Sequence, residues 1–342
     1  MDGVLIHSLF NLILGIQSII MVTEIHGGNH LQERHSLDMM GTRIDLMIEA
    51  ENAKELMKEA CYLLEVYKNR FSANDEDSEL VRVNQMAGIF PVKVHPDLFE
   101  LIGVGKFHSL QHPSNLNIAI GPLVQSWRIG FDDARVPDDM TIQAAVALTN
   151  PQNILLDEAQ QSIFLTEKGM KIDLGALAKG YIADKIMTYL KNKQIISAMI
   201  NLGGNVLVYG VNPKRESGEW LVGIQHPQKK RGNNLGILRV KNKSVVTSGI
   251  YERHLKVGDK DYHHIFDRRT GYPIETEMAS LTIVADKSVD CEIWTTRLFG
   301  LPLLESLATI QKTPDIEGIV ITQDNRIAVT DGLKQDFQLL YS

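Results

Sequence analysis

Apolar and polar positions along this chain change their spacing many times, and each change marks an expected element. From 41 to 48 they alternate, Ile44, Leu46 and Ile48 falling on one side as in a half-covered strand. The spacing then lengthens. Leu56, Ala60, Leu63, Leu64 and Tyr67 share one face of a helix expected over 50–67. The polar run 72–78 predicts a loop, and Ser78 followed by Glu79 opens a short helix through Asn84. A helix is expected over 96–108. Residues 115–123 look like a strand broken by Gly121-Pro122, with Pro122 suited to the first turn of a helix reaching Trp127. Another helix spans 141–148, with Pro151 as its stop signal.

The second half is richer in strands. Residues 198–209 read as strand, glycine turn, strand. Further strands are expected at 220–224, 235–240 and 244–247, and one at 281–285 leads into a helix from Ser288. Residues 319–322 and 327–330 flank Asp324-Asn325 as a hairpin would. Strands and helices mix without a regular βαβ alternation. The expected class is therefore α+β, with mixed, largely antiparallel sheets and flanking helices, rather than a doubly wound sheet.

The most informative segment runs from Asp173 to Asp184. After a short alternating stretch and a turn at Lys168-Gly169, Leu174, Leu177, Ala178, Tyr181, Ile182 and Ile186 take the spacing of one helical face. An acid, small residues and Lys179 thus fall in the first turns of an expected helix. A helix start exposes N–H groups and favours anions, and small residues let a ligand approach the backbone. The plain alternative is Asp173 as an N-cap, with Gly175 and Ala178 allowing tight packing.

Composition narrows the field. The 342 residues suffice for one large domain or two ordinary ones, and 44% apolar with 23% charged content is ordinary for a globular protein. A net charge of −7 argues against nucleic acid as main partner; the dense basic cluster Lys229-Lys230-Arg231 reads as a solvated loop. Cys61 and Cys291 make no disulfide framework and have no zinc spacing; both are expected as buried thiols. Residues 4–21 are rich in Leu and Ile but contain His7, Asn11 and Gln17. They show no basic lead-in, no cleavage signal and no cysteine for lipid attachment. Residues 1–34 are accordingly expected outside the fold, as a weak hydrophobic segment or an extension upstream of Met21, with 35–342 forming a single domain. A cytoplasmic location is favoured over membrane association through 4–21.

Three further clusters carry chemistry. Asn201-Leu202-Gly203-Gly204-Asn205 permits a tight turn or a close ligand. The run 262–273 crowds His263, His264, Asp267, Arg268 and Arg269 before a Thr-Gly-Tyr-Pro turn. Histidine exchanges protons near neutrality, and arginine grips phosphate. Glu292 and Thr296, four apart, share a helix face that suits a hard cation such as Mg²⁺. The plain alternative is a surface carboxylate and a threonine bonded to its own helix.

Taken in order, these segments resemble the ApbE family, the FAD:protein FMN transferases. The resemblance runs from about Met39 to Asp331. It rests on Met40-Gly41-Thr42, Ser78-Glu79-Leu80 with Asn84, Gly121-Pro122-Leu123-Val124 with Trp127, and Asp173 to Asp184. Asn201 to Gly204, Thr247-Ser248-Gly249 with Tyr251, His264 to Pro273, and Glu292 to Thr296 complete it. It implies an ApbE-like, T-fold-like architecture. It also implies an enzyme that splits FAD at its pyrophosphate with Mg²⁺, places FMN on a threonine hydroxyl of an acceptor protein through a phosphoester, and releases AMP. The acceptor would be a redox or electron-transfer protein. The resemblance assigns Met40, Asn115, Leu116, Asn117, Asp173, Lys179 and Phe266 to the FAD site. It assigns the metal to the Ala176 carbonyl, Glu292, Thr295 and Thr296, and makes His264 the general base or phosphate-positioning group. The family commonly has Asp where this chain has Glu292 and where it has Asn117. The alternatives are a protein that keeps FAD intact and an FAD pyrophosphatase yielding FMN and AMP.

Overall fold

The structure, a computed structural model, describes residues 22–26 and 30–340. In chain order, strands β1 (Val22–His26), β2 (His30–Met39) and β3 (Thr42–Ala50) form an antiparallel meander. Helices α1 (Ala53–Phe71) and α2 (Glu79–Gln85), strand β4 (Val92–Lys93), and helices α3 (Pro96–Leu110), α4 (Gly121–Trp127) and α5 (Asp139–Ala147) follow. Next come β5 (Ile154–Asp157), β6 (Ser162–Leu165), α6 (Ala178–Asn192) and the hairpin of β7 (Ser197–Leu202) with β8 (Asn205–Tyr209). Strands β9 (Trp220–Gln225), β10 (Asn234–Val240), β11 (Ser244–Gly249), β12 (His254–Val257), β13 (Lys260–His263) and β14 (Met278–Ala285) lead to α7 (Ser288–Leu298) and α8 (Leu303–Lys312). Strands β15 (Ile316–Thr322), β16 (Ile327–Val329) and β17 (Phe337–Leu339) close the chain.

Nine strands form the main sheet in the order β1-β2-β3-β7-β8-β11-β14-β15-β16, and its pairings are antiparallel throughout. The small sheets β17-β10-β9, β12-β13 and β4-β6-β5 are antiparallel too. The α+β class with antiparallel sheets is thus what the chain adopts. Strand periodicity sends alternate side chains to opposite faces. On β3, Ile44, Leu46 and Ile48 join the core under α1 and α6, while Met47 points to the other face. There Val208, Val245 and Val284 of the main sheet meet Trp220, Val222 and Leu238 of the small sheet. Both faces of β14 are covered and all eight of its residues are buried.

Several expectations need correction. The fold begins upstream of the boundary set at 34, because β1 pairs with β2 and β2 pairs with β3 from Leu31 onward. The apolar run 4–21 lies outside the described residues. No helix among the described residues is long and apolar enough to cross a membrane. Residues 115–117 are not a strand. The Asn117 side chain accepts from Ala119 N at 2.9 Å and turns the chain into a short 3-10 segment, Ile118–Ile120, that runs into α4. Asp173 is not the N-cap of the helix after it. That helix starts at Ala178, and Asp173 Oδ1 instead accepts from Gly175 N at 2.8 Å in a turn ahead of it. Both cysteines are free thiols; Cys291 is buried, but Cys61 only partly.

Candidate active site

A cavity of about 1340 Å³ opens between the main sheet, the small sheet of β9, the start of α6 and the face of α7 that carries Glu292, Thr295 and Thr296. All twelve residues that the family resemblance assigned to the site line it: Met40, Asn115, Leu116, Asn117, Asp173, Ala176, Lys179, His264, Phe266, Glu292, Thr295 and Thr296.

Local structure explains how they get there. The β2–β3 hairpin has a two-residue turn, Met40-Gly41, with φ of 54° and 67°. Two left-handed residues match the twist of paired strands, but a methionine in that region is strained by about 1 kcal/mol. Such strain is tolerated where a side chain must be aimed, here at the cavity. Asn117 is buried with both ends of its amide used: Oδ1 by Ala119 N, and Nδ2 donating to Thr149 O at 2.8 Å. An aspartate could not donate that second bond, which accounts for the amide here. The Asn115 amide is likewise turned inward, donating to Phe299 O at 2.5 Å.

The junction of α6 and α7 forms one wall. Gly180, in the first turn of α6, touches the start of α7 so closely that a Cβ would lie 2.6 Å from Ser288 O. That approach lets each helix place a carboxylate on the other's N-terminus. Glu292 of α7 accepts from Gly180 N at 2.9 Å. Asp184 of α6 accepts from Ser288 N at 2.8 Å and Val289 N at 2.9 Å. Both acids thereby sit against the positive end of a helix dipole. Glu292 is buried; Asn205 Nδ2 donates to its other oxygen at 3.1 Å, and Lys179 Nζ lies 3.9 Å away. Burial raises its pKa, opposed by the Lys179 charge and the Gly180 and Asn205 hydrogen bonds. Burial also lifts Asp184 to about 6 against its two backbone donors. Thr295 donates back to its own helix at Glu292 O, 3.1 Å away, and Thr296 is half-buried at the cavity.

The opposite wall comes from the turns around β12 and β13. His264 Nδ1 lies 3.1 Å from Arg253 O. A carbonyl only accepts, so Nδ1 carries the proton and Nε2 keeps a lone pair. Burial pushes His264 down to about 4, helped by the charges of Arg253, His263 and Lys179 against its backbone bond, so the ring is neutral at pH 7. Asp173 is raised by burial and partly restored by Gly175 N–H and the Arg253 charge.

The other charged residues of the 262–273 run serve elsewhere. Arg268 donates to Ser109 O at 3.0 Å, Arg269 pairs with Asp267 at 3.1 Å, and His263 Nε2 lies 3.0 Å from Ile274 O. Both arginines line a neighbouring hollow of about 400 Å³ that shares Asn117 with the main cavity, and neither arginine lines the main cavity itself. Sequence reasoning missed Arg253, which lines the cavity and electrostatically couples Asp173 to His264. Its only signal was its place two residues after Tyr251. The cap roles of Gly180, Asp184 and Asn205 were missed too, although all three lay inside segments already noted.

Among the described residues, no three His, Cys, Asp or Glu side chains cluster to hold a metal. The donors at hand are one buried carboxylate, two hydroxyls and a backbone carbonyl, all oxygen. That set fits Mg²⁺, which takes few protein ligands and fills its shell with water and phosphate. A bound cation and Lys179 would share the same carboxylate.

The model of the ApbE family matches residues 40–320. A Klebsiella pneumoniae protein named FAD:protein FMN transferase is 39% identical over 308 residues, 90% of this chain and 95% of its own. A Treponema pallidum protein of the same name is 33% identical over 295 residues, 83% of this chain and 82% of its own. Among solved structures, the flavin transferase ApbE from Vibrio cholerae matches with a TM-score of 0.78 at 24% identity, over 92% of this chain and 100% of its own. The ApbE protein from Thermotoga maritima matches with 0.78 at 22% identity, over 94% and 99%. These two likenesses speak for the fold. The family match spans most of the chain, and the relatives align along most of their lengths: the chain belongs to the ApbE family.

Proposed function

We infer that this chain transfers FMN from FAD to a threonine hydroxyl of an acceptor protein. The threonine oxygen bonds to the FMN phosphorus, the pyrophosphate P–O bond breaks, and AMP leaves with the bridging oxygen. The observation that carries this reading is a neutral histidine with a free Nε2 lining the same cavity as the buried Glu292 and its half-exposed partner Lys179 at a helix start. The shared name of the Klebsiella pneumoniae and Treponema pallidum relatives supports it.

In this reading His264 Nε2 accepts the proton of the incoming hydroxyl. A group held near pH 4 is a weak base, but the negative pyrophosphate would raise its pKa as FAD binds. Arg253 and Lys179 supply positive charge along the phosphates. Glu292, Thr295, Thr296 and the Ala176 carbonyl would hold Mg²⁺, which supplies charge neutralisation at the pyrophosphate and the departing AMP. Met40 and Phe266 offer apolar contact to the flavin nucleotide. No nucleophile is needed on the enzyme, because the acceptor brings its own.

The test is incubation with FAD, Mg²⁺ and threonine-bearing acceptor peptides, followed by denaturing electrophoresis. Covalent flavin fluorescence on the peptide is the expected outcome. Free FMN and AMP without labelling would mark a pyrophosphatase, and intact bound FAD a binding protein.

A further inference from the structure

A threonine hydroxyl is only two bonds from its own main chain. For it to react inside the cavity, the acceptor's backbone must enter as well, and its N–H and C=O groups then need partners there. The structure holds an unused set. Strand β9 is the outer strand of the sheet β17-β10-β9, and it lies along the cavity wall. Arg239 N donates to Asp336 O at 3.0 Å and Leu235 O accepts from Leu340 N at 2.9 Å, so these β10 residues turn their peptides toward β17. Leu238 and Val240 therefore turn theirs toward β9, where they face Val222 and Trp220. By the same alternation, the N–H and C=O groups of Leu221 and Gly223 point away from β10, at the open edge. They have no backbone partner among the described residues.

The space beside this edge suits a peptide. The cavity of about 1340 Å³ exceeds the usual single-ligand range of roughly 300–1,000 Å³, which leaves volume beyond a nucleotide. Its floor near β9 is apolar, with Met199 and Val206 half-buried and lining it.

We propose that the open edge of β9 receives an extended, threonine-bearing segment of the acceptor protein as an added strand. Main-chain bonds to Leu221 and Gly223 hold the segment, and alternate side chains rest on Met199 and Val206. This mode of recognition takes affinity from the backbone and selectivity from alternate side chains. The proposal rests on the transferase reading and names how its second substrate is held.

The probe is a pool of short synthetic peptides with one central threonine and varied neighbours, beside a matched pool with alanine in its place. Hydrogen exchange followed by mass spectrometry should show the Leu221 and Gly223 amides protected by the alanine pool in the presence of FAD. Leu221→Pro deletes an outward N–H that the β9–β10 ladder does not use, a position where an edge strand tolerates proline. It should raise KM for the threonine pool roughly tenfold, the scale of a lost hydrogen bond, with kcat and FAD affinity unchanged. Leu221→Ala, which keeps the N–H, should not. Flavinylation of peptides without protection at these amides would overturn the proposal, as would an unchanged KM in a folded Leu221→Pro variant. If that variant fails to fold, the exchange measurement on the unaltered protein decides. Consumption of FAD with no peptide labelled would reject an extended segment as the occupant. FAD left intact with every acceptor would reject the transferase reading itself, and the proposal with it.

Discussion

The two walls of the cavity hold their ionisable groups by different means. On the α6–α7 wall, Glu292 and Asp184 each lie on the first turn of the neighbouring helix and accept its backbone N–H groups. On the other wall, His264 sits in a turn and is fixed by one carbonyl at 3.1 Å, with Arg253 beside it. The first arrangement needs two helices to approach within the width of a glycine. The second needs only a local bend of the chain. The difference separates two jobs: the helical wall keeps a buried charge in place, and the turn wall presents a neutral proton acceptor.

The largest effect should come from Glu292→Ala, which removes the carboxylate of the helical wall that lines the cavity. Gly180 N–H and Asn205 would lose their acceptor, and Lys179 its counter-charge. A loss of about 3 kcal/mol in stability is expected, together with transfer reduced at least about 10²-fold while FAD binding largely persists. Full Mg²⁺-dependent turnover in this variant would sink the metal assignment. On the turn wall, His264→Ala should slow transfer by about 10²–10³-fold and change the FAD dissociation constant far less. Equal losses in both would make it a binding residue.

The walls should also respond to pH with opposite sign. His264 titrates near 6.5 unfolded and near 4 folded. Between these values the unfolded chain binds the extra proton, so its contribution to stability rises with pH and is lost as pH falls from 6.5. Asp184 titrates near 3.8 unfolded and about 6 folded. Here the folded state holds the extra proton, so stability from this group is fullest at low pH and declines as pH rises through that window. Denaturant unfolding between these pH values should show the rising slope weakened in His264→Ala and the falling slope weakened in Asp184→Asn. Identical pH profiles in both variants would erase the contrast. The smallest effect is expected from Met40→Gly. Relief of the left-handed strain should leave stability unchanged or raise it by up to about 1 kcal/mol, while FAD affinity falls a few-fold. Lower stability with unchanged affinity would make Met40 a purely structural turn residue.

Much of the fold was legible along the chain. Ser78 does cap a short helix, accepting from Val81 N at 3.0 Å, and the glycine pair at 203–204 does turn one strand into the next. Those features depend on neighbours a few residues apart. Residues 115–117 misled because an apolar run spaced like a strand carries an asparagine whose side chain bonds its own backbone. Asp173 misled for the same reason, because its carboxylate closes a turn before the helix can begin. The β2 boundary was missed because a polar strand such as 30–36, with buried Gln32 and Glu33, gives no apolar alternation.

By itself the sequence determined the local pieces: strand and helix periods, turns, caps and the short motifs that mark the family. These follow from interactions within a few residues, which a linear pattern records. Only the tertiary structure decided that twelve scattered residues share one cavity and that Arg268 and Arg269 leave it for other partners. It also decided that Glu292 meets Gly180 across 112 positions and that Leu221 and Gly223 face an open edge. Those facts depend on which elements pack together and which peptide groups are already spent, and a one-dimensional pattern carries neither.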